Sequence, residues 1–181
     1  MPRPPRPASA RPWYAAGLRF GCTASGHCCR NHGQYAYVYL TEVEVGALAA
    51  HLGIEPAAFQ ERFCVEDEGW TCLRMDAPAC PSLADDGRCG VYAARPVQCR
   101  TWPFWEENLK DAERWHGAAR VCPGIGRGRR YAAREIAAIA AGNEAWAEGR
   151  LPPGAPLPTT DDGPEDGRDR DGRGAQEPGR R

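Results

Sequence analysis

The chain has 181 residues, with 23 basic and 24 acidic side chains and a formal net charge of −1. A balance that close supplies no global field to steer the protein to nucleic acid or an anionic membrane surface. No apolar run approaches the ~20 residues that a bilayer-spanning helix needs.

Composition divides the chain into three. Residues 1–12, MPRPPRPASARP, are proline-rich without an apolar run and read as a disordered arm, not a secretory leader. Residues 150–181 are a run of proline, glycine and charge in which only Leu151 and Leu157 are large and apolar. Nothing there offsets chain entropy, so a disordered tail without apolar anchors is expected. Residues 13–149 suit one domain with one core.

Within that domain YAYVYL (35–40) has strand composition, with Tyr35, Tyr37 and Tyr39 on one face. Thr41 and Glu44 form a capping-box pattern, with Leu40 able to staple onto Val45. Val45, Leu48, Ala49 and Leu52 then make an apolar stripe, and Gly53 stops the helix. Pro56 opens a second short helix carrying Phe59 and Phe63. From Cys64 to Gly126 no period holds for two turns. A strand at Thr71–Met75 and a helix beginning near Arg95–Pro96 are the expected elements there. The last helix, 130–148, carries Ile136, Ile139, Asn143 and Trp146 along one side.

Nine cysteines stand at Cys22, Cys28, Cys29, Cys64, Cys72, Cys80, Cys89, Cys99 and Cys122. An odd number cannot pair fully within one chain. In the reducing cytoplasm expected of a chain without a leader, many thiols point to metal rather than to disulfides. Thiolates are soft ligands that suit zinc or an iron–sulfur cluster, whereas calcium and magnesium take oxygen. GCTASGHCC (21–29) offers Cys22, Cys28 and Cys29 within a few residues, which keeps the loop-closure cost low. Further ligands must come from later in the chain. Cys64, at the end of a helix with Phe59 and Phe63, reads better as a buried core thiol, and Cys72 divides evenly between core and site. His51 and His116 read as solvated. Arg100 is either a counter-charge to a thiolate site or a surface arginine, and Trp102, Phe104 and Trp105 cover the site or the core. No phosphate loop, G-x-S-x-G or H-E-x-x-H occurs.

The later cysteines lie in a recognisable order. Cys80 and Leu83 are followed by Cys89, Tyr92, Arg95, Pro96, Cys99, Arg100, Pro103 and Phe104, then by Cys122, Pro123 and Gly124. With the opening motif this resembles the YkgJ-type cysteine-cluster family of zinc- or iron-chelating domains, over roughly Phe20 to Gly128. The resemblance implies a metal site built from Cys22, Cys28, Cys29, Cys80, Cys89, Cys99 and Cys122. In the family's C-x2-C-G-x-C-C opening, Gly26 matches the glycine and Ser25 stands where the second cysteine belongs. His27, His32, Cys64 or Cys72 are the candidates to replace it.

Together these readings give a small single α+β domain, mostly helical with short strands and an irregular cysteine-held segment, and disordered termini. The expected function is binding of zinc or iron, an iron–sulfur cluster included, with a metal ion as partner and neither nucleic acid nor membrane. The alternative is a metal-dependent enzyme or redox partner with an open coordination position.

Overall fold

The computed structural model of the chain describes residues 11–30, 37–74, 79–150 and 159–160. Strand β1 (Leu18–Phe20) leads through a loop to a 3-10 turn at His27–Cys29, and β2 (Val38–Leu40) precedes helix α1 (Glu42–Leu52). The capping box forms as expected: the Glu44 amide donates to Thr41 Oγ1 at 3.3 Å, and the Thr41 amide donates to Glu44 Oε2 at 2.8 Å. Gly53, at φ +67°, takes the left-handed conformation that ends the helix. Val45, Leu48 and Ala49 are buried, but Leu52 is 39% exposed, so the stripe stops one turn short of the helix end.

Helix α2 (Pro56–Phe63), with Pro56 at its first position, passes directly into β3 (Cys64–Asp67). A turn at Glu68–Gly69 returns the chain as β4 (Trp70–Leu73), and the antiparallel sheet has the order β2-β4-β3. The expected strand at Thr71–Met75 begins one residue earlier, at Trp70, and ends at Leu73; Met75 and Tyr35 fall outside the described residues.

Helices α3 (Val97–Thr101), α4 (Glu106–Leu109) and α5 (Ala112–Ala119) occupy the stretch where no period was legible. The first two, of five and four residues, are too short to print one, whereas α5 has eight, as many as α2. Pro96 caps α3 from outside the helix, and Asp111 caps α5 by accepting from the Arg114 amide at 2.8 Å. His116 sits on α5. Strand β5 (Arg129–Tyr131) pairs antiparallel with β1, Leu18 opposite Tyr131 and Phe20 opposite Arg129, before α6 (Ala133–Ala147). The last helix thus starts three residues later than its sequence suggests, because long-range pairing with β1 claims Arg130 and Tyr131.

These elements form one small α+β domain with two apolar centres. Phe20, Phe104, Trp115, Tyr131, Ile136 and Ile139 pack in one; Leu40, Val45, Leu48, Phe59, Leu73 and Val91 pack in the other. Helix α3 joins the two. Five residues cannot hold a helix in isolation, and tertiary hydrogen bonds do so here. The Val97 amide donates to Glu44 Oε1 at 2.7 Å, and the Tyr39 amide donates to Gln98 Oε1 at 2.7 Å. Thr101 Oγ1, fully buried, donates to Asn143 Oδ1 of α6 at 2.9 Å. Glu44 also accepts from the Trp146 indole at 3.3 Å, so one carboxylate ties α1, α3 and α6 together. Among the described residues no helix is long and apolar enough to cross a membrane.

Candidate metal centre

Gly26 opens the 3-10 turn at φ +65°, and a Cβ there would meet the Gly87 carbonyl oxygen at 2.1 Å. Both facts require glycine, and together they press the opening loop against the later cysteine segment. The Cys80 amide then donates to the Cys29 carbonyl at 2.6 Å, and Arg30 bridges Ala79. A second close approach repeats the device at the other end: a Cβ on Gly124 would meet the Gly21 carbonyl oxygen at 2.2 Å, and the Gly21 amide donates to the Gly124 carbonyl at 3.2 Å. The two seams draw the opening loop to Cys80 on one side and to Cys122 on the other.

Between them lies a cavity of about 330 Å³. Cys22, Cys28, Cys29, Cys80, Cys89, Cys99 and Cys122 all line it, with Ser25 among them. Cys22 and Cys122 belong to the first apolar centre, and Cys80 and Cys89 pack against the second. Cys99 enters from α3. The cavity therefore sits where the two centres meet.

Cys64 and Cys72 do not line it. They are buried in the β3–β4 pair, and burial pushes each thiol up to about 11. That removes both from the candidates to replace Ser25 in this arrangement. His27 lies on the 3-10 turn, exposed and outside the lining, and His32 falls outside the described residues. His51 reaches the Gly90 carbonyl at 3.2 Å, away from the cavity wall.

Sulfur dominates the donor chemistry. Among the described residues no carboxylate or imidazole lines the cavity; its other polar wall groups include Arg30, Tyr92, Arg95 and Gln98. Such a set fits a thiophilic metal and not an oxygen-seeking one. None of the nine cysteines is in a disulfide. The thiols surround the space without yet converging: among the described residues no three His, Cys, Asp or Glu side chains are gathered closely enough to hold an ion.

The electrostatics of the wall are those of thiols competing for few protons. Cys29 donates to Cys28 and Cys89, which holds Cys29 protonated far above the usual thiol range. The same hydrogen bonds bring Cys28 down to about 7 and Cys89 down to about 6, with Arg95 assisting both. Burial pushes Cys80 and Cys99 up. It pushes Cys122 up as well. Trp102, also in the wall, has its indole nitrogen buried without a hydrogen-bond partner among the described residues.

A family model described as "CxxCxxCC: putative zinc- or iron-chelating domain" matches residues 21–123, the stretch that builds this cavity. The chain belongs to the CxxCxxCC family. All seven thiols expected from the motif lie within the matched stretch, and Ser25 marks this member's departure from the family's opening pattern. No solved structure matches the chain. Of the aromatics expected to cover the site or the core, Trp102 and Trp105 line the cavity and Phe104 is buried in the first apolar centre. Sequence reasoning did not single out Arg95 as a wall residue. The motif contained Arg95, but only the fold distinguishes it from Arg100, which does not line the cavity.

Proposed function

We propose that this CxxCxxCC domain binds zinc or an iron–sulfur cluster through Cys22, Cys28, Cys29, Cys80, Cys89, Cys99 and Cys122, four or more of which close on the metal. The observation that carries the reading is the single cavity lined by seven thiols and, among the described residues, by no carboxylate or imidazole. Holding several thiolates in that space requires a cation, because uncompensated charge is costly away from water. The metal would supply that charge and, by joining loops from both apolar centres, would add its binding free energy to folding. The chain's own part is to present soft donors, to exclude competing oxygen ligands and to shield the site with Trp102 and Trp105. Free thiols of this number suit a reducing, cytoplasmic setting.

A second reading, a metal-dependent enzyme or redox partner with an open coordination position, has the cavity volume behind it. About 330 Å³ exceeds what one ion fills and reaches the range of small-molecule sites, roughly 300–1,000 Å³.

The test is purification of the full chain without air, followed by elemental analysis, an absorption spectrum and thermal melting before and after chelation. Zinc or iron at one equivalent or more per chain is expected, with a melting midpoint several degrees lower once it is removed. Protein that carries neither metal, and gains no stability from added zinc or from iron and sulfide, would overturn the reading.

A further inference from the structure

A buried indole N–H usually finds an acceptor. Trp13 donates to the Leu109 carbonyl at 2.8 Å, and Trp146 donates to Glu44 at 3.3 Å. Trp105, in the cavity wall, turns its N–H into the fold, to the Gln98 carbonyl and to Thr101 Oγ1, both at 3.1 Å. Trp102 breaks the pattern. It stands edge-to-face with Trp105 at 4.9 Å in the same wall, and its Nε1 is buried without a hydrogen-bond partner among the described residues. A buried donor left unmade costs stability, so a fold keeps one where something from outside the chain accepts from it.

Gln98 adds a second donor. Its Oε1 accepts from the Tyr39 amide at 2.7 Å, which fixes the carboxamide and leaves Nε2 as the side-chain group available to the cavity that Gln98 lines. The sulfur-free wall also has an apolar part in Val38, Trp105, Val121 and Pro123. Such a mixture, mostly apolar with a few placed polar groups, is the make-up of a small-molecule site. Charge then selects among acceptors. Both donors are neutral, and the thiols turn negative as they take metal. An anion would add like charge to a poorly solvated space. A carbonyl oxygen on a neutral, partly apolar molecule meets the donors without that cost.

We propose that the cavity is also a binding site for a small neutral carbonyl compound, an amide or ketone with an apolar body, whose oxygen accepts from Trp102 Nε1 and Gln98 Nε2. The choice of a neutral ligand rests on the metal-binding reading above, whereas the site itself stands on the sulfur-free wall.

The full chain, metal-free and zinc-loaded, is titrated with benzamide while the indole N–H resonances are followed by NMR. The Trp102 resonance is expected to move downfield in a saturable way. Those of Trp13 and Trp146, whose N–H groups are taken within the fold, should stay in place. Trp102→Phe, which keeps an aromatic wall and removes the donor, should bind benzamide about tenfold more weakly, the scale of one hydrogen bond made away from water. Ethylbenzene, which lacks the oxygen, should bind both proteins alike, an outcome a packing role for the indole would not produce. Benzoate should bind the zinc-loaded protein more weakly than benzamide does. A Trp102 resonance that stays in place up to the solubility limit of benzamide, or that answers to zinc and not to benzamide, overturns the proposal; so does equal affinity in Trp102→Phe. Tighter binding of benzoate overturns the assignment to a neutral ligand. If Trp102→Phe does not fold, the wild-type resonance alone decides. A chain that takes up neither zinc nor iron overturns the metal reading, and the metal-free titration then decides this one, so the two failures read differently.

Discussion

Ser25 and the buried cysteines show how single side chains decide what this site can be. Ser25 lines the cavity among the thiols, where a neutral hydroxyl is a poor partner for a soft metal. Ser25→Cys is therefore expected to tighten zinc retention about tenfold against a chelator under anaerobic conditions by completing the family's set. An unchanged affinity and metal spectrum would mean that the residue faces away from the ion. His27→Ala should leave retention as it is, since His27 is outside the lining. Cys64 and Cys72 act in the opposite sense, as core atoms. Their folded pKa values are raised to about 11, so between about pH 9 and pH 11 the unfolded chain releases protons that the folded chain keeps. Their contribution to stability is complete below about pH 9 and is lost as pH rises through about 11, on the order of 3 kcal/mol for each thiol at most. Denaturant unfolding of Cys72→Ala across that window should show a shallower fall in stability than wild type; parallel curves would show that the thiol is solvated.

At the level of elements, the short helix α3 carries the site. It presents Cys99 and leads into Trp102, and all of its anchors are distant in sequence: Glu44 of α1, Tyr39 of β2, Asn143 of α6. One more comes from the stretch expected to be an unanchored tail. Thr160 is buried; its amide and its hydroxyl both donate to the Arg100 carbonyl at 2.8 Å, and the hydroxyl also reaches the Trp102 carbonyl at 3.1 Å. These are the carbonyls that the end of α3 leaves unpaired. Thr160→Val, which keeps shape and loses the hydroxyl, should cost about 1–2 kcal/mol and lower the melting midpoint by a few degrees. Truncation after Arg150 should do at least as much and should also weaken metal retention through Cys99. If neither change moves the midpoint, the Thr160 contact contributes nothing and the expectation of an unanchored tail stands.

Across the whole molecule, the division between what sequence reveals and what folding adds follows the range of the interactions. Local chemistry was legible. Thr41 and Glu44 lie three residues apart and form their box within one turn. Gly53 and Gly26 stand where a left-handed backbone is needed. The seven motif cysteines are the ones that line the cavity, because motif spacing records which loops must close on each other. Other features were illegible for a common reason: they depend on partners far along the chain. Arg130 and Tyr131 look helical until β1 pairs with them. Helices α3 and α4, of five and four residues, are too short to show a period and are held by packing. Nothing in the spacing separates Arg95 from Arg100, yet one lines the thiol cavity and the other offers its carbonyl to Thr160. By itself the sequence determined the donor chemistry, the helix caps and the residues available to a thiophilic metal. Only the tertiary structure decided that loops from two apolar centres enclose one space, that Cys64 and Cys72 belong to the β3–β4 pair, and which arginine of the later motif lines that space. Composition and periodicity report on contacts within a turn or two, whereas a cavity is a property of surfaces that meet only when the chain folds.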